Sequence, residues 1–418
     1  MIIYRVKRGD TLASVSRKHG VLPTVLADAN AISEDGALTP GQALAIVIPA
    51  ATHHVREGDT LTSIARRHGI RPYRLLQLNP ALGGSDRLYP GMTLTLAPAE
   101  PPRATLSVLG YTLAEEPPEA LLAALPYLTY LAIDGARIGE DGTPSFPDAE
   151  AMIGNARRLG AVPLLVLSAA GAGGAHGEEE RTCRLLCDEE RTSRLTAALC
   201  QKLMGLGYGG VFLDFPFVKE ECRRAYLLLI SQLRRRLGHG AAVIASHAVN
   251  EGAFANGGAD FSAVGRAMGG LSLETYDFAT RYQEPSPPAP YDKVKSTVAE
   301  ACRYVRPQKL LLGISTRAQD SAVNQAEGRT LPVRDALVAA EAGSEVNYDP
   351  IAKIPYLCYR GESGKRILFF EDAESFYEKL LLLEEYSLGG ITLYPTVSLP
   401  ASLLSMLAYR YKILKSSS

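Results

Sequence analysis

Eight short apolar runs, each separated from the next by residues that can form a helix, constrain this chain more than any other feature. The runs are Leu106–Tyr111, Tyr127–Asp134, Val162–Ser168, Gly210–Phe215, Ala242–His247, Gly270–Tyr276, Lys309–Ile314 and Gly390–Tyr394. Helical periodicity marks 148–159, 192–204, 225–237, 294–304 and 376–386 between them, with Asp148 as the expected N-cap of the first. Strands that are apolar on both faces need cover on both sides, which alternating helices supply in a parallel sheet. Eight such units over 106–418 predict an α/β fold, a (β/α)8 TIM barrel; an open doubly wound sheet is the alternative. The interval between the seventh and eighth runs is long, and a small β-rich insertion is expected at about 318–372.

Ahead of the barrel the chain repeats itself. Val6–Leu12 matches Val55–Leu61 at an offset of 49, and His19-Gly20, Pro23 and Asn30 match His68-Gly69, Pro72 and Asn79 at the same offset. Leu38-Thr39-Pro40-Gly41 then matches Leu88-Tyr89-Pro90-Gly91 one residue later. Two copies of one small unit are implied, each reading strand, helix, helix, strand. Asp10 and Asp59 are expected to cap the first helices, Gly20 and Gly69 to end them, Pro23 and Pro72 to open the second, and Asn30 and Asn79 to close it.

The Gly-Asp-Thr-Leu block, the asparagine and the Pro-Gly pair, in that order, resemble the LysM module. The resemblance implies a βααβ fold that binds peptidoglycan, chitin or another N-acetylglucosamine-containing glycan between its two strand–helix junction loops. Carried over by position, the contacts would come from Gly9, Asp10, Thr11 and 30–41 (Asn30 first), and from Gly58, Asp59, Thr60 and 79–91 (Asn79 first). Asp10, Asp59, Asn30 and Asn79 also read simply as caps. The expected organisation is a first module over 1–50, a second over 51–97, a Pro-rich linker over 98–105 and the barrel over 106–418.

The totals narrow the partners. Lys plus Arg is 44 and Asp plus Glu is 45, so no net field draws nucleic acid or an anionic membrane. Six scattered cysteines with no C-x-x-C pair read as reduced structural thiols. No apolar run reaches the ~18 residues of a membrane span. Residues 1–7 read as a strand and not a leader, so synthesis in the cytoplasm without a secretory signal is expected. Gly171-Ala172-Gly173-Gly174 lacks the Lys-Ser/Thr of a phosphate loop and the third glycine of a dinucleotide fingerprint. No cofactor and no metal are expected.

Barrel chemistry sits at strand C-termini. Those ends carry Tyr111, Asp134, Ser168, Asp214, His247, Glu274, Tyr276, Asp277 and Tyr394, acceptors for hydroxyls and rings for sugar faces. From the fourth strand on, the chain resembles the family 18 glycoside hydrolases, and within them the LysM-bearing branch associated with spore-cortex peptidoglycan and germination. The residues that carry the likeness are Gly209–Pro216, Glu274–Asp277, Leu311–Ile314, Val346–Asp349, Phe370–Ala373 and Gly390–Tyr394.

The family's fourth strand reads Asp-Gly-x-Asp-x-Asp-x-Glu; the Glu protonates the leaving oxygen, and the last Asp orients the substrate's acetamido nucleophile. Here the corresponding positions are Gly209, Phe212, Asp214 and Pro216, and a proline has no proton to give. Glu220 and Glu221 fall too far along, in the following helix. Trp is absent from the chain, whereas the family places one under the reacting sugar. The candidate catalytic residues are Asp214, Tyr276 and Glu274, with Asp134, Asp277 and Tyr394 as sugar contacts. The expected function is glycan binding in the spore cortex or coat by a barrel that has lost its acid. The alternative is an active N-acetylglucosaminidase in which Glu274, turned to the same side as Tyr276, supplies the proton; equally, Glu274 could serve only to fill the polar barrel centre.

Overall fold

The computed structural model describes residues 1–418 except 34–35, 139–141, 169–182, 204, 216–217, 219, 239, 249–257, 277, 279–284, 324–327, 334, 337–344, 362–363, 398 and 416–418. Pro216, Asp277 and the 171–174 glycine loop therefore lie outside the described residues.

In the first module β1 (Ile2–Arg5), α1 (Leu12–His19), α2 (Pro23–Asn30) and β2 (Ala43–Ile46) follow in order, with β1 and β2 antiparallel. The second repeats this with β3 (Pro49–His54), α3 (Leu61–Arg67), α4 (Pro72–Leu78) and β4 (Thr93–Pro98). The helix caps are not the aspartates but the residues after them. Thr11 and Thr60 each accept from the N–H of Ser14 or Ser63, whose hydroxyl accepts in return from the cap's own N–H. Asp10 and Asp59 are drawn back into the preceding loop, where they accept from the N–H of Lys7 and Arg56. Gly20 ends α1 at φ 66°, and Pro23 and Pro72 take the first turn of α2 and α4.

Eight parallel strands then close into a barrel: β5 (Ala104–Leu113), β6 (Tyr130–Asp134), β7 (Val162–Ser168), β8 (Gly210–Asp214), β9 (Ala242–Ala248), β10 (Gly270–Glu274), β11 (Leu310–Ser315) and β17 (Gly390–Tyr394), the last pairing with the first. The helices between them include α5 (Glu150–Arg158), α6 (Glu189–Leu203), α7 (Arg223–Leu237), α8 (Gly258–Ala267) and α9 (Tyr291–Ala301). Asp148 does not cap α5, which starts after Ala149 with no side-chain cap. Strand alternation divides the core. Leu109, Leu164, Val166, Phe212, Ile244 and Leu311 fill the barrel, while Val108, Leu165, Leu167, Val211 and Leu213 face the helices.

Between β11 and β17 lies the insertion, a five-stranded antiparallel sheet of β12 (Arg317–Ala322), β13 (Gly328–Pro332), β14 (Asn347–Asp349), β15 (Ile354–Gly361) and β16 (Gly364–Phe369), followed by α10 (Ala373–Glu385). After β17 come α11 (Ala401–Arg410) and β18 (Tyr411–Ile413), which extends the sheet beside the start of β5. The cysteine expectation is corrected: Cys183 and Cys222, 39 residues apart, form a disulfide, and they follow in sequence two strands, β7 and β8, that pair in the barrel. No described helix is long and apolar enough to cross a membrane.

The modules are built onto the barrel. Arg74 of α4 donates to the Ala408 carbonyl of α11, and Ser405 of α11 donates to the Ala29 carbonyl of α2. Two bonds cross the second module's contact: the Gln77 side chain donates to the Pro126 carbonyl, and the Tyr127 hydroxyl donates to the Gln77 carbonyl. The first module meets the insertion: the Val346 N–H donates to the Pro40 carbonyl, and Arg5 lies over the Tyr348 ring while pairing with Glu374.

Candidate active site and glycan-binding loops

The C-terminal mouth of the barrel opens into a cleft of about 540 Å³, within the ordinary size range of small-molecule sites. β8 delivers Asp214 to its floor, since the alternation that turns Val211 and Leu213 outward turns Phe212 and Asp214 inward. Asp214 is half-buried. One of its oxygens accepts from Tyr111 Oη at 3.2 Å and the other from Ser246 Oγ at 2.7 Å. Burial raises its pKa above the usual carboxylate range and the charge of Asp134 adds to this, while the two hydroxyl donors oppose it. The Tyr111 phenol is raised in turn, first by burial and then by Asp214, so it remains a donor.

Above the carboxylate stands an aromatic wall. Tyr276 and Tyr394 stack with centroids 5.5 Å apart and planes at 10°, and Tyr111 meets Tyr394 edge-on at 5.2 Å. The Arg317 guanidinium sits 4.9 Å from the centre of the Tyr394 ring. Stacked rings offer a flat apolar face beside acceptors, the pairing that a sugar's C–H face and hydroxyls require. A second hollow of about 430 Å³ shares Tyr111, Arg317, Thr330 and Tyr394 with the first, so the cleft is longer than one chamber.

Asp134, Asp214, Glu274, Tyr276 and Tyr394, expected from the sequence, all line this one cleft. Asp134 accepts from the Gly135 N–H at 2.7 Å. Glu274, half-buried, lies opposite Ala248 in register, two residues beyond the inward Ser246–Ser272 pair. His247 does not join them. Its neighbour Ser246 faces Asp214, so His247 turns outward onto Phe261 of α8, where burial depresses its pKa to about 4. Glu221 is also displaced from expectation, exposed in a 3-10 turn (Glu220–Cys222) rather than in the helix that follows.

Sequence reasoning missed Ser246, the buried Ser272–Thr392 hydroxyl pair and the insertion's Arg317, Gln319 and Thr330. Counting back by two from the strand end would have found Ser246. Nothing local marks the last three, which reach the cleft only because β12 and β13 fold back over it. Among the described residues no grouping of metal ligands lines the cleft.

In the modules, Gly9 and Gly58 form open loops at φ 87° and 81°, with Thr11 and Thr60 exposed beside them. The asparagines are committed elsewhere. Asn30 donates to the Leu26 and Ala45 carbonyls and accepts from the Ala45 N–H. Asn79 does the same with Leu75 and Thr95, so each carboxamide pins helix to strand and neither is offered to a glycan.

Against known proteins, the model of the glycosyl hydrolases family 18 matches residues 172–396 and the LysM domain model matches 4–47 and 53–97. The chain is 27% identical to a cortical fragment-lytic enzyme of Bacillus anthracis, over 67% of each chain. It is 26% identical to a cortical fragment-lytic enzyme of Bacillus subtilis (strain 168), over 99% of each. The crystal structure of the Bacillus cereus spore cortex-lytic enzyme SleL shares the fold, with a TM-score of 0.78 at 24% identity, covering 100% of this chain and 99% of that one.

Proposed function

Since the chain belongs to the glycosyl hydrolases of family 18 and carries two LysM domains, we propose that it binds peptidoglycan or a related N-acetylglucosamine glycan without cleaving it efficiently. One observation carries the reading. The site keeps Asp214, held by Tyr111 and Ser246 beneath a tyrosine stack, while the sequence has Pro216 where the family has its proton donor. A general acid is worth typically 10²–10⁴-fold in rate, so its loss leaves a barrel that can hold and orient a sugar but protonates the leaving oxygen poorly. The relatives named for cortex lysis support the spore cortex as the place of action, and the proposal extends to the coat and to germination.

A second reading rests on Glu274. It shares the cleft with Asp214, and a carboxyl there could donate a proton in place of the missing acid. The chain would then be an N-acetylglucosaminidase acting on cortex fragments by an acetamido-assisted route.

Purified cortex peptidoglycan, assayed for retention of the chain and for release of reducing ends, separates the two. Retention with release no faster than in the Asp214→Asn variant is expected. Release abolished by both Asp214→Asn and Glu274→Gln would favour the second reading, and failure to bind would sink both.

A further inference from the structure

The rim beside β8 gathers more sulfur than one disulfide uses. Cys183 and Cys187 lie one helical turn apart, the Cys187 N–H donating to the Cys183 carbonyl at 2.9 Å. Cys222 ends the turn leading into α7 and is bonded to Cys183. The exposed thiol of Cys187 sits 3.3 Å from the Cys222 sulfur. The Glu221 carboxylate reaches within 4.8 Å of both the Cys183 and Cys222 sulfurs. A simple cross-link has no use for this third thiol and carboxylate.

The ligand atoms of Cys183, Glu221 and Cys222 lie within 4.8 Å of one another, and Cys187, whose sulfur is 3.3 Å from that of Cys222, is the fourth donor that a tetrahedral set requires. At a Zn–S distance of about 2.3 Å, tetrahedral thiolates stand about 3.8 Å apart, so the Cys187–Cys222 pair needs to open by only about half an ångström. We propose that, when the disulfide is reduced, Cys183, Cys187, Cys222 and Glu221 bind one thiophilic divalent cation of the zinc type in a closed structural site. An external thiol or phosphine supplies the two electrons, and two protons complete the Cys183 and Cys222 thiols, while the reductant leaves oxidised. The cation then displaces three thiol protons into solvent and accepts the carboxylate as its fourth ligand.

Disulfide and metal are thus alternative closures of one tie, between the helical turn that begins at Cys183 and the Glu221–Cys222 pair ahead of α7. A change of redox state exchanges one closure for the other and keeps that rim together. The site is separate from the sugar cleft, and none of its ligands lines it.

The test uses the full chain in its oxidised form and after phosphine reduction, with native thiols counted first and Co²⁺ as the probe. One equivalent of Co²⁺ is expected to bind only the reduced protein, with thiolate-to-cobalt charge transfer and tetrahedral visible bands that Zn²⁺ abolishes. Cys187→Ser should lose at least tenfold in affinity yet still form the Cys183–Cys222 disulfide on oxidation, which shows that it folds. Glu221→Gln should weaken binding without removing the charge-transfer band, and Cys358→Ser, at an exposed thiol elsewhere, should change nothing. A disulfide that stays closed under reductant, a fully reduced chain with no tetrahedral cobalt spectrum, or an unaltered spectrum in Cys187→Ser would each overturn the proposal.

Discussion

In the first LysM module the loop acid Asp10 accepts from the Tyr4 hydroxyl, with Lys18 and His19 packed on the same ring. At the matching places of the second module stand His53, Arg67 and His68, with His53 and Arg67 both on Asp59. The copies keep what makes the fold: the threonine caps, the helix-opening prolines and the asparagine pins. They differ where the rest of the molecule covers them. The Pro40-Gly41 turn of the first is pressed onto Val346 of the insertion, and its Thr39 is 6% exposed. The matching Tyr89-Pro90-Gly91 turn stands clear, with Tyr89 65% exposed, because the second module docks instead through Gly84 on Leu122. A repeated unit keeps its internal contacts and loses its surface wherever it is built into a larger body. Of the two matching turns, the second module's is the more exposed.

The sharpest way to break that comparison is to add a methyl group to each turn. A Cβ on Gly41 would fall 2.2 Å from the Val346 oxygen, and one on Gly84 would fall 1.9 Å from the Leu122 oxygen; one on Gly91 would meet nothing within 4 Å. All three glycines have positive φ, so each alanine carries left-handed strain of roughly 1–2 kcal/mol, and the first two add overpacking of about 1–3 kcal/mol. Gly41→Ala and Gly84→Ala should therefore destabilise by about 2–5 kcal/mol in urea melts and Gly91→Ala by about 1–2 kcal/mol. Equal losses at all three would remove the distinction between docked and open turns.

Next come the pins, where the copies should agree. Asn30→Ala and Asn79→Ala each strand two carbonyls and one N–H, at about 1–3 kcal/mol per buried unsatisfied group in the worst case and less where water enters. Losses near 2–3 kcal/mol are expected, greater for the more buried Asn79. An effect confined to one module would mean that the pin is not a shared fold element.

Smaller still is the effect on binding. A flat aromatic ring standing free is an anchor for a sugar face, and losing one anchor costs roughly 1.4 kcal/mol, or about tenfold in affinity. Tyr89→Ala should lower retention on purified cortex peptidoglycan by that factor, whereas Thr39→Ala should leave it unchanged. Unaltered retention in Tyr89→Ala would place the glycan on another face.

Much of this architecture was legible in the residues, and what escaped did so for physical reasons. The eight strands announced themselves because a buried parallel strand must be apolar on both faces. The modules did so because the same caps and pins had to recur. The N-cap assignment failed by one residue because aspartate and threonine both cap helices, and only the backbone N–H groups of Lys7 and Arg56 decide which of the adjacent pair is drawn away. His247 was misplaced because inward parity at a barrel mouth depends on strand stagger, and one residue of error turns a side chain from cleft to helix layer. Cys183–Cys222, and Arg317 over Tyr394, join segments whose proximity only the closed barrel creates.

The least of the expected differences between the copies is their response to acid. Asp59 is held down from 3.8 to about 2, first by its bond to His53, then by the Arg56 N–H. Asp10 is also lowered, chiefly by the Lys7 N–H, with Tyr4 second. A carboxyl whose folded value is depressed adds stability above its ordinary value and loses it as pH falls through the folded one. For the second module that window runs from about 4 down to about 2. Amide exchange in α3 should quicken across it, Asp59→Asn should abolish that pH dependence, and His53→Phe should shrink it. Tyr4→Phe should disturb α1 less, since the main support of Asp10 is a backbone N–H that no side-chain change removes. Equal sensitivity to the two ring substitutions would show that His53 and Tyr4 are interchangeable supports of the loop.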